Sequence, residues 1–384
     1  MTLDHSAGAT RVLAVNGGSS SVKFAVFGAG DPPQERARGK IERAGAARAV
    51  LDALEGQGAL SGLAGIGHRL VHGGPEHTAP ALVTPDLLRD LDRLKALDPT
   101  HLPAELELIA AFAARCPGVP QVACFDTAFH RDLPTVARTL PIPRRYQAQG
   151  VRRYGFHGIS YEYLLEELAR IAGAEAAHGR VVFAHLGSGA SLAAVHNGRC
   201  IDTTMGFTPT GGLVMGTRTG DLDPGVLIYF LRSEKPSADQ LDALVNRESG
   251  LRGISETSAD VRDLLAHEAS DPRAAEAVAV FCYQARKWIG AMAAALNGLD
   301  TLVFSGGIGE NAPLVRARIC EGLSFFGVRL AEERNSTSAP IISEAAAPVT
   351  VRVIPTNEES MMARSVFRLL AKTSVPPPQG PPHG

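Results

Sequence analysis

Several absences narrow this chain before any motif is considered. Cysteine is scarce: Cys116, Cys124, Cys200, Cys282 and Cys320 are odd in number and form no CxxC pair. This excludes a zinc framework and favours reduced thiols over disulfides, so a cytoplasmic location is expected. An excess of one charge sign is also missing, since 38 basic residues against 40 acidic ones leave a net charge of −2. With no basic stripe, nothing argues for a nucleic-acid partner. No apolar run is long enough to span a bilayer, and no membrane partner is expected. The opening MTLDHSAGAT has no cationic segment followed by an apolar run, so it does not read as a secretory leader. At the other end, SVPPPQGPPHG offers nothing to pack, and residues 375–384 are expected to form a disordered tail. Two nucleotide motifs are missing as well. The first lysine after a glycine-rich turn leads into a strand and no helix, which rules out Walker A, and GxGxxG does not occur.

The length, 384 residues, suggests two to three domains, each able to bury a core. Short β-prone runs alternate with longer helical patterns, which predicts α/β layering. VLAVNGGSSSVKFAVF, residues 12–27, is two apolar runs joined by a turn of glycine and serine that is longer than a tight hairpin needs. Its exposed N–H groups and Lys23 suit a phosphate cradle. They suit a flexible hairpin with a solvated lysine equally well. RVVFAHLGSGASLAAVHNG, residues 180–198, repeats the arrangement, which points to a duplicated architecture with one such turn in each half. In DTLVFSGGIGENAPLVRARICEGLSFFG, residues 300–327, a strand runs into glycines. Asn311 is expected to cap a helix with Pro313 in its first turn and Val315, Ile319, Leu323 and Phe326 on one face. Asn357 and the two glutamates after it look like another helix start.

Five further stretches join these: GHRLVHGG (67–74), FDTAFH (125–130), RRYGFHGIS (152–160), DTTMGFTPTGGLVMGTRTGDLDPG (202–225) and IPTNEE (354–359). Together with NGGSSSVKF, HLGSGAS and GGIGEN, they resemble the acetate kinase family, in the family's order, from about residue 12 to 370. The resemblance implies an α/β fold of two actin-like (RNase H-like) lobes closing on an ATP cleft. One lobe would take residues 1–127 plus 358–374, and the other 128–357 with the nucleotide and dimer surfaces. It also implies ATP and a short-chain carboxylate as substrates, Mg²⁺ (or Mn²⁺) as cofactor, and a homodimer through the middle lobe.

The chemistry of that family sets what its residues must do. A carboxylic acid is already ionised at neutral pH, since such groups have pKa values near 4. The obstacle is bringing one anion to another, so catalysis is alignment and charge neutralisation. By resemblance, Arg69 and Arg218 hold the carboxylate and the planar phosphoryl group, a task that suits the arginine fork. Without the family, either could be a surface salt bridge. Asp126 corresponds to the catalytic aspartate and is given an orienting role, since no proton need be removed. His157 corresponds to the histidine that stabilises the transferring group, though a satisfied structural histidine would fit the same spot. Asn16 and Glu358 correspond to residues near the metal, and Glu358 could also simply answer a helix dipole. Ser19, Ser21 and Lys23 match the first phosphate turn; His185, Leu186, Gly187, Ser188 and Gly189 match the second. Gly307, Ile308, Gly309, Glu310 and Asn311 match the nucleotide loop, and Asp260, Val261 and Arg262 a further adenosine contact. Asp260 is alternatively half of a capping box with Thr257. His68 and His72 have helical metal-pair spacing, but flanking glycines deny the helix.

This chain departs from the family pattern in four places. Ser188 replaces an asparagine, Tyr161 a histidine, Gly211 a glutamate, and DPTHLPAEL puts Thr100 for a leucine and Leu102 for an asparagine. That leucine belongs to an acyl pocket whose other members correspond to Val71, Phe156 and Pro209. The departures bear on rate and acyl preference, with propionate or butyrate as alternative substrates. From a different class, the rival reading is a non-catalytic nucleotide clamp, which would need none of Arg69, Asp126, His157 and Arg218.

Overall fold

A computed structural model describes residues 10–17, 21–42, 47–95 and 97–373. Ser19 and the 375–384 tail lie outside the described residues, as does the side chain of Ser21. The chain divides into two compact units, one made of Met1–Ala128 with Asn357–Gly384 and the other of Phe129–Thr356.

The first unit carries a six-stranded sheet in the order β3-β2-β1-β4-β6-β5. Its strands are β1 (Arg11–Gly17), β2 (Ser21–Gly28), β3 (Gln34–Glu42), β4 (Leu63–Leu70), β5 (Ala81–Leu82) and β6 (Gln121–Phe125). The second unit's five strands, in the order β11-β10-β7-β8-β9, are β7 (Val181–Leu186), β8 (Ala190–His196), β9 (Arg199–Thr203), β10 (Thr301–Ser305) and β11 (Thr350–Val353). The duplication read from the two turns is present in the pairing. β1-β2-β3 and β7-β8-β9 are both antiparallel meanders. In each sheet the first of these strands then pairs in parallel with the next, β4 or β10, which pairs in parallel with β6 or β11.

The central strands are buried on both faces, as β1 (Val12 to Val15) and β7 (Val181 to Ala184) show. One core gathers Leu13, Val15, Phe24, Ile66 and Phe112; another, in the second unit, gathers Tyr161, Leu164, Phe183, Val195 and Val303. β4 needs its glycines. A Cβ on Gly65 would come within 2.7 Å of Val366, and one on Gly67 within 3.0 Å, so the C-terminal helix Glu358–Thr373 lies close against this strand. Asn357 starts that helix as read, its Oδ1 accepting the Ser360 N–H at 3.0 Å. Asn311 does not cap as expected: it ends a short helix, Gly306–Asn311, and Ala312 precedes the next, Pro313–Cys320. Among the described residues, no helix is long and apolar enough to cross a membrane.

Candidate active site

In the first unit, the ends of three parallel strands converge on one charged cluster. Asn16 is next to last in β1, Arg69 next to last in β4 and Asp126 follows β6, all at the carboxyl ends where open α/β sheets bind ligands. Arg69 donates from Nε and Nη2 to Asp126 Oδ2 at 3.1 and 2.5 Å, and from Nη1 to Asn16 Oδ1 at 3.3 Å. Asn16 Nδ2 donates in turn to Glu358 Oε2 at 2.7 Å and to Glu359 Oε1 at 3.3 Å. The Arg69 side chain is 16% exposed and that of Asp126 1%. Asp126 Oδ1 is buried with no hydrogen-bond partner among the described residues. Burial pushes the Asp126 carboxyl above its usual range, Arg69 opposes this, and Glu358 adds to it. Burial works against the Arg69 charge, but Asp126 and Glu358 outweigh it and hold that pKa above the ordinary arginine value. Lys23 is exposed on β2, directly across from Asn16.

Sequence reading missed Glu105, which no local spacing reveals. From the helix Leu102–Arg115 it accepts the Val71 N–H with both oxygens, at 3.1 and 3.3 Å. Burial is the main reason its pKa rises to about 8, against the pull of Arg69. Glu105 therefore fixes the strand end that carries both Arg69 and Val71. Thr100 is exposed in the turn before this helix, whereas Leu102 is fully buried. His68 and His72 are no metal pair, as their glycine flanks implied. His68 lies on a strand, its Nε2 2.6 Å from the Gln121 amide, and burial lowers its pKa to about 4; His72 Nδ1 accepts the Gly74 N–H.

In the second unit the site residues gather over the β7–β8 turn. A Cβ on Gly189 would meet His157 Nε2 at 3.3 Å and Arg218 Nη1 at 3.6 Å, so the imidazole and the guanidinium both overlie this glycine. Gly187 donates to the Gly189 carbonyl at 3.0 Å across the turn, and Ser188 at its tip is exposed. His157 has left-handed backbone, φ 59°, immediately before the helix Gly158–Ala172. Such conformations are strained for a residue other than glycine and concentrate at functional sites. Its Nδ1 lies 2.8 Å from Ser191 Oγ, and its ring centroid 4.5 Å from that of His185. Arg218 Nη1 donates to the Pro209 carbonyl at 3.2 Å. Phe156 is buried, and its carbonyl accepts from His130 Nε2 at 2.9 Å.

The nucleotide loop is braced from within. Glu310 Oε1 accepts the N–H groups of Gly306 at 2.8 Å and Thr356 at 3.1 Å, and Asn311 Nδ2 donates to the Gly307 carbonyl. Gly306 has φ +76° and a Cβ there would lie 2.6 Å from the Leu186 carbonyl oxygen, so only glycine fits where the loop crosses the end of β7. Arg316, also missed from sequence, is fully buried and donates to neutral acceptors: the Gly309 and Glu310 carbonyls, Asn335 and Ser338. A cation over the last carbonyls of a helix is favourably placed. Asp260 does not form a capping box with Thr257. It is itself the N-cap of the helix Val261–His267, accepting the Arg262 N–H at 2.9 Å and pairing with the exposed Arg262 guanidinium.

Taken together, the duplicated meander-plus-parallel sheets and their glycine turns define an α/β protein of the actin-like fold. The model of the acetokinase family matches residues 30–364. An acetate kinase of Rhodopseudomonas palustris is 48% identical over 309 residues, covering 80% of this chain and 77% of its own. A propionate kinase of Citrobacter rodentium is 42% identical, covering 95% of this chain and 98% of its own. The crystal structure of Porphyromonas gingivalis acetate kinase superposes with a TM-score of 0.85 at 33% identity, covering 94% of this chain and all of that one. The chain belongs to the acetokinase family.

Proposed function

We propose that this protein transfers the γ-phosphoryl group of ATP reversibly to acetate, forming acetyl phosphate by direct in-line displacement. The observation that carries this reading is the Arg69–Asp126 pair at the strand ends, an arginine fork pre-aimed by a buried carboxylate. Arg69 would bind the acetate carboxylate beside Val71, with Thr100 as a further acyl contact. Because the nucleophile arrives ionised, Asp126 orients Arg69 and takes no proton. His157 and Arg218, converging on Gly189, would stabilise the charge spread over the equatorial oxygens, the imidazole as a hydrogen-bond donor and the guanidinium as a cation. The glycine turn at 187–189 and the braced loop at 307–311 would hold the nucleotide.

The donor set suits Mg²⁺, a hard cation that takes oxygen ligands and keeps several waters. Glu358 and the unpartnered Oδ1 of Asp126 would hold it. The amide of Asn16 is already committed to Arg69 and the two glutamates, so it would orient Glu358. When bound, the metal supplies charge neutralisation on the phosphates.

A homodimer is part of this reading. The helix Pro224–Ser233 buries none of its residues and leaves Ile228, Tyr229 and Leu231 exposed, an apolar surface of the kind that subunit contacts cover. Free cysteines fit a cytoplasmic enzyme. A coupled assay of the purified protein with acetate, propionate and butyrate tests the proposal. Acetate-dependent ADP formation is expected, and ATP binding without turnover of any of the three would return the reading to a nucleotide clamp.

A further inference from the structure

We infer that Tyr161 and Ser191 are positioning residues, forming a one-way hydroxyl relay that holds His157 in the tautomer with Nδ1 as acceptor and the proton on Nε2. This rests on the reading of His157 given above.

The tautomer follows from where the buried protons can go. Tyr161 and Ser191 are both fully buried. The Tyr161 hydroxyl bonds to Ser191 Oγ, and the same Oγ lies 2.8 Å from His157 Nδ1. Around the phenol stand the rings of Phe129, Phe183 and His130. His130 offers it no acceptor, because its two nitrogens face Cys200 Sγ and the Phe156 carbonyl. Burial raises the Tyr161 pKa, so the group remains a phenol with one proton to place. In one direction, Tyr161 donates to Ser191, Ser191 donates to His157 Nδ1, and both hydroxyl protons have an acceptor. In the reverse direction Nδ1–H donates to Ser191, Ser191 donates to the phenol oxygen, and the Tyr161 proton is left buried without a partner. An unpaired buried donor is a costly defect, so the first direction prevails.

That choice decides what the site presents. Nε2 is the nitrogen that overlies Gly189 beside Arg218. With the proton there, the ring offers an N–H to an anionic oxygen; with the tautomer reversed it would offer a lone pair. The neighbouring imidazole is tied by the same helical turn, since Ser160 Oγ lies 2.9 Å from His185 Nδ1 and 2.7 Å from Thr356 Oγ1. Successive residues, Ser160 and Tyr161, thus orient two rings, and the departure at 161 from histidine to tyrosine acquires a role.

The first test needs no perturbed protein beyond a spectral assignment. Long-range ¹H–¹⁵N spectra of ¹⁵N-histidine-labelled protein, with the His157 signals identified by their loss in His157→Gln, should show Nδ1 bare and Nε2 protonated. Nδ1 protonated and Nε2 bare overturns the relay. The second test is a double-mutant cycle on kcat. Ser191→Ala should lower kcat roughly tenfold to a hundredfold, the scale of partners that orient a reacting group, with KM values little changed. Tyr161→Phe should cost less, because Ser191 becomes the terminal donor and still points at Nδ1. In the Ser191→Ala background, Tyr161→Phe should cost nothing further. Independent, additive losses would make Tyr161 a packing residue and overturn the relay. If instead His157→Gln keeps the parent kcat while the tautomer is as expected, the catalytic reading of His157 fails and the relay stands.

Discussion

The two units build the same pattern, a three-stranded meander followed by parallel strands, yet equip it with opposite chemistry. At the strand ends of the first lie ionisable groups, Arg69, Asp126 and Glu358, with the carboxyl of Glu105 one layer deeper. Over the glycine turn of the second lie imidazoles, hydroxyls and one arginine. A buried ion pair costs desolvation that its own attraction barely returns, but breaking it leaves a stranded charge. A neutral hydrogen-bonded network carries no such penalty. The contrast teaches that topology sets where ligands meet the sheet, while the residues at those positions decide whether a site is held rigid by charge or by hydroxyl geometry. It also predicts that the units respond differently to the same kind of damage.

The largest effects come from the two arginines. Arg69→Ala and Arg218→Ala should each lower kcat by roughly 10³–10⁵, the scale of arginines that act in phosphoryl transfer. The first should also unfold more easily. It strands Asp126, 1% exposed, and removal of one partner of a buried pair costs about 3–5 kcal/mol. Arg218 donates to the Pro209 carbonyl and approaches Met215 Sδ, both uncharged, and leaving these unmet should cost less than stranding Asp126. Steady-state kinetics with denaturant titrations of both variants separate the cases. Equal stability losses, or a near-parental kcat with only a raised KM for acetate, would erase the distinction.

Next in size is Asp126→Asn. If the aspartate orients Arg69, the substitution should lower kcat by about 10² at every pH while leaving the shape of the pH–rate profile intact. If an acid limb present in the parent vanishes in the variant, Asp126 transfers a proton and the orienting role is wrong.

Glu105 sharpens the comparison through pH. Its pKa rises from 4.5 to about 8 in the folded chain, so between these values the folded state keeps a proton that the unfolded state has released. Stability is then fullest below the unfolded value and declines as pH climbs through the folded one. Glu105→Gln has no such dependence. Relative to the parent it should gain stability steadily from about pH 5 to about pH 9, as read from urea midpoints. A constant difference across that range would mean Glu105 is ionised throughout.

What was legible in the sequence follows the range of the contacts. The hairpins at 12–27 and 180–198, the glycines of β4 and the start of the last helix are local, and spacing revealed them. Asn16, Arg69 and Asp126 could be named because the motifs around them resemble those of the family, and the structure then places them at strand ends. Glu105, Ser191 and Arg316 could not. Glu105 meets Val71 across 34 residues, Ser191 meets His157 across another 34, and Arg316 reaches Asn335 across 19. A buried glutamate in a helix reads like any polar position, and a serine within an apolar strand like a gap in the pattern. Asn311 and Thr257 were misread because several polar residues competed for each cap; only the backbone decides which one takes it.

The smallest effect tests the edge of the first unit. Thr100 occupies the family's leucine position by sequence, but it is exposed ahead of the 102–115 helix, while Val71 is buried and held by Glu105. A methylene in an apolar pocket is worth about 1–3 kcal/mol of discrimination, and a partly solvated wall delivers less of it. Thr100→Leu should therefore widen the acetate-to-propionate ratio in kcat/KM only a few-fold, toward the low end of that range. Val71→Ala, at the buried position, should move the same ratio further, toward propionate, by enlarging the space beside Arg69. Competition assays with both acids on the two variants rank the positions. A larger shift at Thr100 than at Val71 would place the acyl chain against the exposed turn and not against the strand end that Glu105 secures.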